Sequence, residues 1–252
     1  MENSIKQTRQ TGCKAQAHGK TPFSRLSWTF AISKTLILIA IFITKPAYAE
    51  ENWKLLRNAK GINVYSRSLP DSKYQEFKGV VTVQATQASS LALLDDTLAC
   101  AQWVHLCEKS EVLKQNATFE RYIYQVSDLP FPAASRDVIF KVVVSQTEDG
   151  TVEVTLTSAP DYIGPTKYVR IRNAYGKYSL RAVGEHQTEI TWTQYVDPTG
   201  KLPAFLVNSM VTDVPYNSLL NFRELVTTRK YQDAVFVYDS AGKPVGLRQN
   251  PL

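Results

Sequence analysis

Alternation of apolar and polar positions runs through most of the chain, and where it stops the spacing turns helical. Residues 61–68 (GINVYSRS) and 75–85 (QEFKGVVTVQA) alternate around Pro70-Asp71-Ser72, which predicts two strands joined by a turn. Between 87 and 103, Leu91, Leu94 and Leu98 fall three to four residues apart, which predicts one helix. Residues 111–114 and 118–126 read as a hairpin turning at Gln115-Asn116. The next stretch, 128–134 (DLPFPAA), holds two prolines and is excluded from a central strand. A second hairpin, 138–146 with 151–159, turns through Glu148-Asp149-Gly150. Short strands at 167–174, 178–183 and 188–196 follow, with turns expected at Tyr175-Gly176 and Gly184-Glu185.

The period of two also assigns faces. In VIFKVVV, Lys141 shares a side with Ile139 and Val143, leaving Val138, Phe140, Val142 and Val144 as a wholly apolar side. The matching inward sets are Val152, Val154 and Leu156, and later Ile190, Trp192, Gln194 and Val196. A sheet with one dry face needs a cover, and 203–230 has the length and the stripe for it. Leu202, Leu206, Met210 and Val214 recur every four residues with Phe205 beside them, and Leu219, Phe222 and Val226 continue the line. Pro203 suits a first helical position, and Pro215 predicts a kink or break. The predicted class is α+β: about nine antiparallel strands, curved, gripping a long C-terminal helix. The tail 231–252 has one apolar stretch, 234–238, and no predicted place.

Charge changes the picture only at the start of the chain. The formal net charge of +6 would suggest a polyanionic partner. Of 29 basic residues seven lie in 1–49, leaving 22; of 23 acidic residues only Glu2 lies there, also leaving 22. The body is neutral, and no nucleic-acid partner is expected. The apolar run 35–44 (TLILIAIFIT) is shorter than the roughly 20 residues that span a bilayer, and Ala47-Tyr48-Ala49 follows it in a small-x-small pattern. We therefore read 1–49 as a signal peptide cleaved after Ala49, directing a 50–230 domain and its tail to the bacterial periplasm. The alternative is an uncleaved leader anchoring the chain to the inner membrane. Cys100 and Cys107 fit either a small disulfide loop or two free thiols. With His105 they lack a fourth ligand for zinc, so no metal is expected.

Four motifs, in one order and at similar separations, resemble the StAR-related lipid-transfer (START) domain family. They are Leu93-Leu94-Asp95-Asp96 with Trp103 behind it, Ser135-Arg136-Asp137 leading into a strand, Tyr168-Val169-Arg170, and 197–203 (DPTGKLP) leading into the long helix. The likeness spans about residues 54–230. It implies a helix-grip fold around a hydrophobic tunnel that holds one lipid or sterol, with the C-terminal helix as lid and no cofactor. Certain sterol-binding members carry an acid and an arginine in the tunnel; the matching positions here are Ile123 and Val142, which argues against sterol.

On this reading the lipid-binding residues are Phe140, Val142, Val154, Leu156, Ile190, Trp192, Gln194, Phe205, Leu206, Met210 and Val214. Gln194 would offer its amide to a head group, and Met210 suits a lid that packs on variable ligands. Arg136 and Asp137 are expected to form a structural pair tying loop to sheet. The loop 129–134, with Phe131 between two prolines, is expected to touch membrane transiently and to open with the helix near Pro215. The protein is expected to act as a monomer.

Catalysis is not expected. Beyond the leader there are two histidines, His105 and His186, and no Gly-x-Ser-x-Gly, Gly-rich phosphate loop or His-Glu-x-x-His. Were the cavity that of a cyclase or hydrolase for a hydrophobic substrate, His105, Tyr122 and Asp137 would be its acid–base groups. A third class is an interaction module with a solid core.

Overall fold

In the computed structural model, which describes residues 52–202 and 204–249 and the backbone alone at 204 and 205, the alternating segments become one antiparallel sheet. The leader predicted over 1–49 lies outside the described residues. The strands are β1 (Lys54–Ala59), β2 (Ile62–Ser68), β3 (Gln75–Val83), β4 (Cys107–Ala117), β5 (Glu120–Ser127), β6 (Arg136–Gln146), β7 (Val152–Ser158), β8 (Val169–Arg170), β9 (Asn173–Gly184) and β10 (Gln187–Asp197). Their order is β1-β2-β3-β10-β9-β7-β6-β5-β4, and the two-residue β8 pairs in parallel with the start of β6. The last long strand thus closes against the first three, and the helix that follows β10 lies back across them.

That helix, α3 (Ala204–Leu225), has 22 residues and so a length on the order of 33 Å. It contains Pro215 without ending there, so the expected break does not occur. Opposite the proline stands Gly79 of β3, and a Cβ on that glycine would lie 3.3 Å from Pro215 Cβ and 2.6 Å from Leu219 Cδ1. The bare strand admits the proline face of the helix, so packing offsets what the sequence penalises locally. Tyr216, Leu219, Phe222 and Val226 join Ile62, Val64, Phe77 and Val81 in the core. The helix stops at Leu225, before the predicted 230. After a short α4 (Arg229–Gln232), the tail forms a hairpin of β11 (Val235–Tyr238) and β12 (Pro244–Arg248). No helix among the described residues is long and apolar enough to cross a membrane.

Three other expectations are corrected. The single helix over 87–103 is α1 (Gln87–Asp95), a 3₁₀ turn (Thr97–Ala99) and α2 (Cys100–Trp103). The break is at Asp96, whose carboxylate takes hydrogen bonds from Tyr231 Oη at 2.8 Å and from Lys230 Nζ. Leu98, helical in spacing, consequently points out and is 77% exposed. The turn expected at Tyr175-Gly176 is the middle of β9, where Gly176 pairs with both Leu156 and Gln194. A Cβ there would come 3.2 Å from the carbonyl oxygen of Thr193, so this glycine serves close approach of two strands. The hairpin expected at Gln115-Asn116 turns three residues later, at Thr118-Phe119, as β4 runs with bulges to Ala117. β1 was not predicted: it is an edge strand with little buried surface, and KLLRNA carries no alternation.

Candidate functional site

The two halves of α3 do different things. The half after Pro215 seats on β2 and β3, whereas the half before it roofs a cavity of about 180 Å³ over the concave face of the sheet. Alternate residues of six strands form most of the walls: Phe77, then Arg121, Ile123 and Gln125, Phe140 and Val142, Val154 and Leu156, Tyr178, and Trp192, Gln194 and Val196. Val207, Met210, Val211 and Val214 look down from α3, and Trp103 and Val104 close one side.

Aromatic contacts stiffen this wall. Trp192 meets Phe77 edge to face at 4.8 Å and stacks on Tyr178 at 5.0 Å, and Trp103 meets Phe222 edge to face at 5.1 Å. The indole N–H of Trp192 donates to Gln194 Oε1 at 3.0 Å. Tyr178 is buried, and burial pushes its hydroxyl well above the usual phenol range.

Most expected contacts therefore line one space: Phe140, Val142, Val154, Leu156, Trp192, Gln194, Met210 and Val214. Ile190 does not. It lies one inward position beyond Trp192, fully packed between Val81 and Leu180 in the solid part of the core. Leu206 faces a side cavity of about 110 Å³, which it shares with Leu106, Pro130 and Met210. The Phe205 side chain lies outside the described residues. Sequence reading passed over Tyr178, because a false turn put it at a strand end, and Trp103, because a single helix hid its orientation. Phe77 carried an alternation signal that was available.

Arg136 and Asp137 each tie loop to sheet, as expected, but through separate partners and not through each other, because consecutive strand residues face opposite sides. Arg136 lies in the cavity wall, 5% exposed. Its guanidinium donates to the carbonyls of Pro198 at 3.2 Å, Thr199 at 3.4 Å and Ala134, tying two loops to β6. Burial draws its pKa below the usual guanidinium value. Asp137, on the other face and fully buried, takes two hydrogen bonds from Arg170 at 2.7 and 2.9 Å, one from Thr166 at 2.6 Å and one from Tyr124 at 3.2 Å. Burial works against its charge, but these donors hold it below the usual carboxylate range. Two of the sequence motifs are thus the two halves of one ion pair.

The Leu-Leu-Asp-Asp motif likewise resolves into anchors. Asp95 pairs with Arg121, a buried cation of β5 that the sequence reading missed, while Asp96 holds Lys230 and Tyr231. Cys100 and Cys107 are joined as a disulfide, with Cα atoms 6.0 Å apart, bracketing Trp103 and Val104. His105 reaches the cavity, but Tyr122 stacks on Tyr162 at 4.0 Å on the opposite face, where Asp137 also lies. The three candidate acid–base groups are not brought together.

With this geometry in hand, comparison with known proteins gives consistent matches. The START domain model matches residues 36–226, beginning inside the apolar run 35–44. An uncharacterised protein of Pseudomonas aeruginosa is 33% identical over 77% of this chain and 96% of its own length. The mouse phosphatidylcholine transfer protein is 23% identical over 66% of this chain and 79% of its own. Among solved structures, a STAR-related lipid transfer protein from Xanthomonas axonopodis superposes with a TM-score of 0.65 at 30% identity, covering 70% of this chain and 99% of that one. Human StAR-related lipid transfer protein 5 gives 0.62 at 18% identity, covering 69% and 86%.

Proposed function

The chain belongs to the START domain family, and from that premise we propose that it carries one lipid at a time in the cavity under α3, outside the cytoplasm. The observation that carries the reading is the cavity itself: an apolar space walled by strand residues of one face and roofed by a helix seated firmly along only half its length. Exposing a 16-carbon tail to water costs on the order of 12 kcal/mol at about 0.8 kcal/mol per methylene. A carrier must replace the bilayer with a dry wall and still let the lipid in.

The parts that would open are adjacent. The side cavity between Leu206, Leu106 and Pro130 separates the first half of α3 from the loop before β6, and Met210 and Val214 border both cavities. At the tip of that loop Phe131 is 97% exposed, which supports a transient contact with lipid. Sterol is disfavoured, because Ile123 and Val142 both line the cavity and are apolar. Carriage is favoured over catalysis because His105 reaches the cavity while Tyr122 and Asp137 lie on the other face of the sheet. The leader pattern and the Cys100–Cys107 disulfide support the periplasm.

The test is to express the full-length chain in a bacterial host, purify the exported form, and compare native with denatured mass. One lipid per chain and an N-terminus at Glu50 are expected. A protein that arrives empty and takes up no lipid from vesicles refutes the carrier reading.

A further inference from the structure

Tyr178 of β9 and Trp192 of β10 are direct partners across the ladder, and Gln194 pairs with Gly176 two residues along, so Tyr178, Trp192 and Gln194 share the cavity face. The Tyr178 ring is held by stacking on Trp192 and by the edge of Trp103 at 6.3 Å. Only 6% of the residue is exposed, and burial alone, with no hydrogen bond, shifts its hydroxyl. That hydroxyl is not among the sealed polar atoms without a partner, which among the described residues are Ser90 Oγ and Arg121 Nε, so it opens onto the cavity.

Gln194 is fixed in the complementary sense. An indole N–H can only donate, so the amide oxygen faces Trp192 and the amide NH₂ is turned away from it. Gly176 leaves room for this side chain, since a Cβ there would sit 3.3 Å from Gln194 Cγ. Two neutral donors therefore stand beside the apolar residues Phe77, Val154 and Leu156 of the wall, and both lack an acceptor. The cavity's arginines are engaged, Arg121 by Asp95 and Arg136 by the carbonyls of Ala134, Pro198 and Thr199, so a phosphate beside Phe77, Val154 and Leu156 would shed its water without an uncommitted cation, an expensive exchange. A carbonyl oxygen is uncharged, accepts two hydrogen bonds, and lies at the base of an acyl chain.

We propose that Tyr178 and Gln194 form a two-donor site for the carbonyl oxygen of an acyl group, so that the chain selects acyl-linked lipids over ether-linked ones. This rests on the cavity being a lipid site. The hydroxyl of Tyr178 is bound to ligand and to nothing else in the protein. Its removal therefore alters selectivity and leaves the fold intact.

The experiment offers the full chain two sets of phosphatidylethanolamine/phosphatidylglycerol vesicles with the same chains, ester-linked in one and ether-linked in the other. Captured lipid is counted by native mass spectrometry under competition. The wild-type protein is expected to favour the ester form by about tenfold or more, as two hydrogen bonds left unmade imply. Tyr178→Phe is expected to lose at least several-fold of that preference with an unchanged melting temperature. Equal capture of both lipids by the wild type overturns the inference and leaves the carrier reading standing. A Tyr178→Phe protein that keeps the full preference, or that melts markedly lower, overturns the role given to the hydroxyl. Capture of neither lipid refutes the carrier reading, and this inference with it.

Discussion

Gly79→Ala puts the seating of the lid helix to a direct test, because two effects of opposite sign meet there. Gly79 sits inside β3, where replacing glycine by alanine ordinarily gains about 0.5–1 kcal/mol of backbone entropy. Against this, the new Cβ would lie 2.6 Å from Leu219 Cδ1, over 1 Å inside an ordinary carbon–carbon contact of about 3.8 Å. Leu219 is fully buried and has little room to swing aside, so the helix itself must lift. Overpacking of this kind costs about 1–3 kcal/mol, and the contact outweighs the entropy gain. In a domain of this size each kcal/mol moves the melting temperature by about 2–4 °C, so a fall of several degrees is expected by calorimetry or circular dichroism. Leu219→Ala alone costs about 2–5 kcal/mol, but in its presence Gly79→Ala should become neutral or favourable, a coupling that a double-mutant cycle reads directly. If Gly79→Ala is as stable as the wild type in both backgrounds, α3 is not seated on β3 as described. The division of the helix into an anchored half and a roofing half then fails.

Asp137→Asn should lower stability at neutral pH by about 3 kcal/mol, the scale for breaking a buried pair, because Arg170 is left with an uncharged partner. The folded-state pKa of Asp137 is depressed, so its contribution is complete above the unfolded carboxylate value and disappears as pH falls through the folded one. Acid titration of stability should thus be steeper in the wild type than in Asp137→Asn, and matching curves would contradict the buried pair. Replacing both Cys100 and Cys107 by alanine should cost about 2.5 kcal/mol in guanidinium unfolding, the loop-closure value for about eight residues, and a reductant should do the same to the wild type. No effect of either would mean that the thiols are not joined. Phe131→Ala, at a fully exposed tip, should leave the melting temperature alone and slow lipid uptake from vesicles several-fold. Uptake at the wild-type rate would remove the loop from the membrane contact.

How much of the site was legible can be judged residue by residue. Period-two alternation in β6, β7 and β10 put Val142, Val154 and Trp192 on one face, since the pleat alone dictates which side a residue takes. The same rule failed at Ile190, which has the right side but the wrong depth: position along a strand relative to the far end of the roof is not a local property. Tyr178 was lost because Tyr-Gly reads as a turn, whereas Gly176 is demanded by strands to either side of it. The break at Asp96 depends on Lys230 and Tyr231, more than 130 residues away.

By itself, the sequence determined the α+β class, most strands of the sheet, the dry face and the long covering helix, because each is written in a short repeating period that the backbone reads locally. Only the tertiary structure decided that Pro215 stays helical, that Asp137 answers Arg170 and not Arg136, and that the roof stands off the sheet over its first half. These are outcomes of which surfaces meet at distance, and whether a helix fills or spans the space beneath it depends on side chains contributed by every strand at once.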